Sequence, residues 1–246
     1  MTKIALVTGA GTGVGKAAAH ALMSAGYHVI FIGRRLNVLE QALSEGQGSG
    51  EAIACDVTDA TAIDALFKSI AERHGRLDVL FNNAGIFIAG KLIDELSLEE
   101  WQQAVDVNLT GSFLCARAAF GLMRKQSPMG GRIINNGSIS AYAPRPGSTP
   151  YTTTKHAITG LTKCLSLDGR PFDIACSQLD IGNAASDMAI PLSEGAMQAD
   201  GTMSLEPLMD LKHVGDAVGY MADLPLSANV QFMTVMATKM PYLGRG

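Results

Sequence analysis

The sequence lacks the features that mark several specialised classes of protein. Its four cysteines (Cys55, Cys115, Cys164 and Cys176) form no CxxC pair and lie in apolar stretches, which favours buried, reduced thiols over disulfides or a zinc site. No apolar run is long enough to span a bilayer. The net charge is only −4, whereas nucleic-acid and membrane-surface binders usually carry a basic excess. We therefore expect a cytoplasmic protein that binds neither nucleic acid nor membrane.

Signals for a metal site are also missing. The five histidines are scattered at positions 20, 28, 74, 156 and 213, and none shows the spacing of metal ligands. Structural or surface roles are expected for each of them, and no metal is predicted.

Strand-like and helix-like segments alternate along all 246 residues. Strands are predicted at 4–8, 28–32, 52–55, 77–81, 132–135, 172–179 and 230–236. Helices are predicted at 13–24, 36–44, 59–74, 98–107, 111–126 and 151–167. This alternation predicts an α/β fold, a Rossmann-type, doubly wound parallel sheet of about seven strands with helices on both faces.

No linker or repeat divides the chain, so a single domain over 1–246 is predicted. The segment 186–210 has weaker periodicity and contains several methionines. It reads either as a lid over a substrate site or as an irregular surface excursion.

A glycine-rich turn follows the first predicted strand. Residues 8–15 read TGAGTGVG and precede the first predicted helix. Glycines let the backbone turn sharply and approach a pyrophosphate, which a helix N-terminus attracts. The spacing Gly9-xxx-Gly13-x-Gly15 differs from the commonest GxGxxG fingerprint. By itself it fits an ordinary strand-to-helix connection equally well.

The end of the second predicted strand bears on the choice of nucleotide. NAD-binding proteins usually place an acid about 20 residues past the glycines, where it binds the ribose 2′-hydroxyl. Here Arg34 and Arg35 follow the strand, and no acid appears before Glu40. Two guanidinium groups suit a 2′-phosphate, which predicts NADP(H) over NAD(H). The alternative is a pair of solvated surface arginines.

A tyrosine and a lysine stand four residues apart at the start of a predicted helix. Tyr151 and Lys155 share a helix face, and Ser138 closes the fifth predicted strand. Because an ammonium favours the phenolate, Lys155 is expected to lower the pKa of Tyr151 and so equip it for proton transfer. Taken alone, YxxxK also arises by chance on a solvated face.

Together these motifs resemble the classical short-chain dehydrogenase/reductase family over about residues 3–236. The resemblance also includes Asn83-Ala84-Gly85 after the fourth strand, and Asn108. It implies that Tyr151 is the general acid in reduction and the base in oxidation. Ser138 would bind the substrate oxygen, Lys155 the nicotinamide ribose, and Asn108 a water that relays protons to Lys155.

The resemblance further implies a set of cofactor contacts. These are Gly9, Thr12, Gly13, Val14, Gly15, Arg34, Arg35, Asp56, Val57, Asn83, Ala84, Gly85, Tyr151, Lys155 and Ser186.

The chain departs from the family pattern in places. Ile181-Gly182 replaces a usual Pro-Gly, and Ser186 a usual threonine. Ser177 stands where asparagine is common, and the segment 237–241 replaces a usual Asp-Gly-Gly. Losing the proline loosens the turn before the lid, and the altered tail could change the site or a subunit contact.

The predicted function is hydride transfer between NADP(H) and a small-molecule carbonyl or secondary alcohol. The alternative is a nucleotide-binding regulatory or scaffold protein of the same fold that lacks chemistry. Dehydration or epimerisation is disfavoured by the short region between 179 and 230. Arg145 lies between Ser138 and Tyr151, and is either a substrate contact or an exposed arginine. The resemblance implies a homo-oligomer, tetramer or dimer, formed through the helices at 111–126 and 151–167.

Overall fold

The structure is a computed structural model that describes residues 2–88, 90–186, 188–189 and 195–243. Seven parallel strands form one sheet. They are β1 (Ile4–Thr8), β2 (His28–Gly33), β3 (Ser49–Ala54), β4 (Val79–Asn82), β5 (Gly131–Asn136), β6 (Ile174–Ile181) and β9 (Phe232–Val235). Their order across the sheet is β3-β2-β1-β4-β5-β6-β9. The predicted doubly wound fold is thereby confirmed.

Helices connect the strands and cover both faces of the sheet. They are α1 (Gly13–Ser24), α2 (Leu36–Ser44), α3 (Ala60–His74), α4 (Leu98–Ala104), α5 (Ser112–Met123), α6 (Thr149–Gly169) and α7 (Leu211–Asp223). Short 3-10 turns occupy Ile139–Ala141 and Arg170–Phe172. Among the described residues, no helix is both long and apolar enough to cross a membrane.

The core divides into two clusters, one on each face of the sheet. Successive residues of a strand point to opposite faces, so Ala5 and Val7 join the cluster beneath α1 and α7. Ile4 and Leu6 join the cluster beneath α3 and α5. Every residue of β1 is buried, as expected for a strand between two helical layers.

The structure corrects several predicted element bounds. The strand predicted at 52–55 begins earlier, at Ser49, and α7 is a helix that was not predicted from the sequence. The helices predicted at 98–107 and 111–126 are one continuous helical run. A π-helical segment, Val105–Gly111, joins α4 to α5 in this run.

The proposed lid at 186–210 is described in part. Positions 187, 190 and 191–194 lie outside the described residues. Farther along, β7 (Ala196–Met197) and β8 (Met203–Ser204) form a short antiparallel hairpin.

The cysteines differ from the expectation at one position. Cys55, Cys115 and Cys176 are buried, and burial raises the pKa of Cys115 to about 12. Cys164, on α6, is exposed.

The order of the strands reverses between β1 and β4. In an open α/β sheet, the crevice at such a reversal, beyond the carboxyl ends of the strands, is where ligands bind. The glycine-rich turn follows β1, and the Asn83-Ala84-Gly85 segment follows β4. The topology therefore brings both segments to this crevice.

Candidate active site

The glycine-rich turn takes a conformation that depends on its glycines. Gly9 and Gly13 have positive φ angles of 65° and 53°, a region that side chains disfavour. A Cβ atom at Gly15 would overlap the carbonyl oxygen of Gly9. Thr12 caps α1 without a side-chain hydrogen bond, which leaves N–H groups of the first turn available to an anion. This turn fits a phosphate-binding role.

Side chains at the ends of three adjacent strands brace this turn. Thr8 Oγ1 accepts hydrogen bonds from the backbone N–H groups of Asn83 and Ala84, both at 2.7 Å. The Asn83 amide donates to the Thr8 carbonyl at 2.9 Å and accepts from Asn136 Nδ2 at 2.8 Å. The roles of Thr8 and Asn136 were not predicted from the sequence. A polar residue closing each of three buried strands was the available signal.

A cavity of about 790 Å³ extends along the carboxyl ends of the strands, starting from this turn. This volume suits a cofactor and a small substrate. Every site residue predicted from the sequence lines the cavity except Asn108. Phe87 and Arg145 line it as well.

Arg34 and Arg35 lie where β2 ends and α2 begins. Both side chains are exposed, and both residues line the cavity. Arg35 is also the N-cap residue of α2, without a side-chain cap hydrogen bond. The two guanidinium groups therefore stand at the rim, within reach of a ligand in the cavity.

Ser138, Tyr151 and Lys155 converge at the inner part of the cavity. Ser138 caps the turn after β5, and its hydroxyl accepts a hydrogen bond from Ser140 N at 3.1 Å. The Lys155 ammonium lies 5.5 Å from the centre of the Tyr151 ring and donates to the Asn136 carbonyl at 2.8 Å. The i, i+4 spacing on α6 places both side chains at one site, as predicted.

The protonation of Tyr151 differs from the sequence-based expectation. Burial raises the pKa of Tyr151, and its hydrogen bond to the Ser138 side chain opposes the shift only in part. Burial also lowers the pKa of Lys155 to about 8, opposed by the charge of Asp180. The expected lowering of the Tyr151 pKa by Lys155 is absent here, because Lys155 is directed to the Asn136 carbonyl and burial disfavours the phenolate.

A buried carboxylate that was not predicted from the sequence lies directly behind Ser138. Asp180, at the end of β6, accepts hydrogen bonds from Ser138 N at 3.0 Å, Gln178 Nε2 at 2.7 Å and Tyr142 OH at 3.1 Å. A Cβ atom at Gly137 would overlap its Oδ1. Burial raises the pKa of Asp180, while these donors and the Lys155 charge act against the shift.

Asn108 supports the cavity from behind rather than lining it. The residue is 2% exposed and lies in the π-helical segment. Its amide group accepts from Ile86 N at 2.8 Å and donates to Ile86 O at 3.0 Å and Thr154 Oγ1 at 3.2 Å. Such π-helical segments recur at functional sites. In this structure the Asn108 side chain holds the loop after β4 against α6.

Arg145 lines the cavity and belongs to a buried ion pair. It donates to both carboxylate oxygens of Glu206, at 2.7 and 2.6 Å, and to Asn183 Oδ1 at 3.0 Å. The side chains of Arg145 and Glu206 are only 11% and 0% exposed. Asn183 and Gln198 also donate to Glu206. Arg145 is therefore not the exposed arginine that the sequence offered as one alternative, because its side chain is buried in this ion pair.

The residues that depart from the family pattern make specific contacts in the structure. Ser186 lies beside the glycine-rich turn, since a Cβ atom at Gly13 would come within 3.2 Å of Ser186 Cβ. The variant turn at Gly182 packs against Met240 of the unusual tail, whose sulfur lies 3.4 Å from Asn183 N. Ser177 donates to Asn229 Oδ1 at 2.7 Å, a structural contact.

The sequence of this chain matches a known protein family. A sequence profile for short chain dehydrogenases matches residues 3–196. The chain belongs to the short-chain dehydrogenase/reductase family. It is therefore an oxidoreductase of that type, as the glycine turn and the Tyr151–Lys155 pair predicted.

Similar curated proteins are oxidoreductases by name. A 3beta-hydroxysteroid dehydrogenase of Mediterraneibacter gnavus is 39% identical over 180 residues, which are 72% of this chain and 64% of that protein. A 3-oxoacyl-(acyl-carrier-protein) reductase of Synechocystis sp. is 36% identical over 191 residues, 76% of each chain. An uncharacterised oxidoreductase of Staphylococcus aureus is 31% identical over 95% of this chain and 96% of its own.

Solved structures share the fold over nearly the whole chain. A 3-ketoacyl-(acyl-carrier-protein) reductase from Brucella melitensis, complexed with NADH, has a TM-score of 0.84 at 23% identity and 96% coverage of each chain. A metagenomic short-chain oxidoreductase in complex with NADP has a TM-score of 0.79 at 26% identity, covering 96% of this chain and 97% of its own.

Proposed function

We propose that this protein transfers hydride between NADP(H) and a carbonyl or secondary alcohol of a small molecule. The observation that carries the proposal is one continuous cavity. The glycine-rich turn lines this cavity together with Ser138, Tyr151 and Lys155. A nucleotide-binding protein without chemistry needs no such trio beside its nucleotide.

The cavity residues fit a nicotinamide dinucleotide. Gly9, Gly13 and the free N–H groups of the first turn of α1 would hold the pyrophosphate. Gly15 keeps this turn open, because a larger side chain there would occupy it. Asp56 and Val57 would border the adenine, and Ser186 the nicotinamide amide. A cofactor bound there supplies or accepts the hydride. The protein positions it and manages the accompanying proton.

Tyr151 is the proton donor in carbonyl reduction and the acceptor in the reverse direction. Its raised pKa keeps the phenol protonated at neutral pH, which is the form that donates a proton to a developing alkoxide. Ser138 holds the substrate oxygen beside the phenol. Lys155 stays largely charged at neutral pH because its pKa is about 8, so it can bind the nicotinamide ribose.

The preference for NADP(H) over NAD(H) rests on Arg34 and Arg35. Both arginines border the cavity at the end of β2, and guanidinium groups bind a 2′-phosphate through charge-assisted hydrogen bonds. The similar structures hold both cofactors, NADH in the Brucella melitensis reductase and NADP in the metagenomic oxidoreductase, so the two arginines alone carry this preference.

The substrate class follows from chemistry shared by the relatives. Their names include a hydroxysteroid dehydrogenase and an oxoacyl reductase, which act at alcohol or keto carbons. The proposal also includes one domain over 1–246, a substrate lid at 186–210, a homotetramer or homodimer, and a cytoplasmic location.

The substitution Tyr151→Phe tests the proposed chemistry. We expect it to leave NADPH binding intact, measured by cofactor fluorescence, and to remove nearly all NADPH consumption across a panel of ketones. Turnover retained in this variant would reject Tyr151 as the acid.

The double substitution Arg34→Ser and Arg35→Ser tests the cofactor preference separately. NADPH affinity should fall at least tenfold while NADH affinity changes little. Tighter binding of NADH than of NADPH by the unmodified protein would refute the preference without touching the role of Tyr151.

A further inference from the structure

Two histidines and a glutamate meet at the end of the sheet opposite the cofactor cavity. Their ligand-type atoms, His28 Nε2, His74 Nε2 and a Glu51 carboxylate oxygen, all lie within 4.8 Å of one another. Glu51 Oε1 is 3.0 Å from His74 Nε2 and 3.7 Å from His28 Nε2. Spacing along the sequence predicted no metal site, because these residues are separated by more than twenty positions each.

The fold explains why these three side chains meet. In the parallel register His28 pairs with Ser49 and Ile30 with Glu51, so His28 and Glu51 lie on one face of the sheet. That face packs beneath α3, as Ile30 and Ile63 show by sharing a core cluster. The helix runs back across the strands and ends at His74. Its last residue therefore reaches the amino ends of β2 and β3.

One nitrogen of this cluster has no hydrogen-bond partner. Among the described residues, His28 Nε2 is one of two buried side-chain nitrogen or oxygen atoms in this condition. The other ring nitrogen, Nδ1, is joined to Ser49 Oγ by a hydrogen bond of 2.6 Å. When Nδ1 donates that bond, Nε2 presents a lone pair toward Glu51 and His74. A buried polar atom without a partner is costly, and a cation would satisfy it.

We propose that His28 Nε2, His74 Nε2 and Glu51 Oε1 bind a zinc ion. Two imidazoles and a carboxylate are a donor set that suits Zn²⁺. Donor atoms of a tetrahedral zinc site lie about 3.4 Å apart, and the two distances to Glu51 Oε1 fall on either side of that value. A water molecule completes the coordination.

Neighbouring groups already orient the three ligands. The Ser49 hydroxyl fixes the His28 ring, as the outer partner of a metal-bound histidine commonly does. Arg73 forms an ion pair with the other carboxylate oxygen, Glu51 Oε2, and so leaves Oε1 facing the histidines. The zinc ion links β2, β3 and the end of α3, which makes it a structural site remote from the cofactor cavity.

Metal uptake by the intact protein tests the proposal without any assay of activity. The purified chain is stripped with EDTA, dialysed against ZnCl₂ and analysed for bound metal by mass spectrometry. The variants are His28→Gln, His74→Gln and Ser49→Ala, and the matched control is His213→Gln, an exposed histidine on α7.

We expect one zinc ion per chain in the unmodified protein and in the control. Zinc affinity should fall about tenfold in Ser49→Ala, since outer partners of a metal ligand typically contribute 10- to about 100-fold. It should fall by more than that in both ligand variants. Zinc should also raise the melting temperature of the unmodified protein but not that of His74→Gln.

Failure to retain stoichiometric zinc would overturn the proposal and leave a local network of hydrogen bonds and ion pairs. Equal uptake by a His28→Gln/His74→Gln double variant would overturn it too. Circular dichroism checks that each stripped variant is folded. Should His28→Gln unfold, His74→Gln decides, because His74 is the last residue of a helix whose packing rests on other side chains.

Discussion

Removing the charge of Glu206 should destabilise the protein strongly at neutral pH. Burial alone would raise the pKa of Glu206, but hydrogen bonds from Arg145, Gln198 and Asn183 and the Arg145 charge outweigh it and lower the pKa to about 2. Compared with the ordinary glutamate pKa of 4.5, this lowering corresponds to about 3 kcal/mol of stability. Since the folded-state pKa is depressed, this contribution is fully present above pH 4.5 and is lost as the pH falls toward 2.

The substitution Glu206→Gln measures this contribution through urea unfolding at a series of pH values. At pH 7 the free energy of unfolding should fall by about 3 kcal/mol, because the variant loses the contribution of the Glu206 charge. The loss acts in the same direction as a second effect, since the variant leaves Arg145 buried without its carboxylate. Below pH 4.5 the difference between variant and unmodified protein should shrink. Asp216→Asn is the matched control, since Asp216 forms an ion pair with Lys212 in which both side chains are more than half exposed, and its loss should be much smaller.

A double-mutant cycle separates the ion pair from its surroundings. Arg145→Met and Glu206→Gln, alone and together, should give a coupling free energy of at least about 1 kcal/mol. A coupling near zero would refute the reasoning, as would a Glu206→Gln difference that stays constant between pH 7 and pH 3. The first result would mean that the 2.6 Å contact contributes no net stability. The second would mean that the contribution of Glu206 does not come from a lowered pKa.

Two further substitutions probe the cavity itself. Asp180→Asn removes the charge that opposes the lowering of the Lys155 pKa. Lys155 should then lose its charge at a lower pH, and the NADPH affinity should decline at a lower pH than in the unmodified protein. Fluorescence titrations between pH 6 and 10 measure this, and an unchanged profile contradicts it. Gly15→Ala should weaken NADPH binding at least tenfold, because the added Cβ overlaps the Gly9 carbonyl. The control Gly121→Ala, on α5 with open space around it, should leave binding unchanged. Equal NADPH affinities in the two variants would argue against the turn as the phosphate site.

The parts of the fold and site that depend on neighbouring residues could be predicted from the sequence. Buried parallel strands read as short apolar runs, and Tyr151 and Lys155 are brought together by helical spacing alone. The helix α7 was missed although its signal is present. Asp210 accepts a hydrogen bond from Lys212 N as the N-cap, and Val214 and Val218 form an apolar stripe behind it.

Pairings between distant residues left no such signal. Arg145 and Glu206 are 61 positions apart, and neither position belongs to a periodic pattern that fixes its partner. Asp180 stands in an apolar strand, where a carboxylate has no visible donor until Ser138 N and Tyr142 are placed beside it. The π-helical segment was read as a break between helices, because a helix with one widened turn shifts its apolar face.

The two buried acids that contact the cavity-lining residues Ser138 and Arg145 show that burial alone does not set a charge state. Glu206 meets the guanidinium of Arg145 at both oxygens, and its pKa falls to about 2. Asp180 meets uncharged donors, with the ammonium of Lys155 acting only through space, and its pKa rises. As the pH falls, Asp180 behind Ser138 therefore takes up a proton before Glu206, the acid that stabilises the fold. On acidification the environment of the proposed catalytic residues should change before the Arg145–Glu206 pair breaks, so activity should decline at a higher pH than the pH at which this contribution to stability is lost.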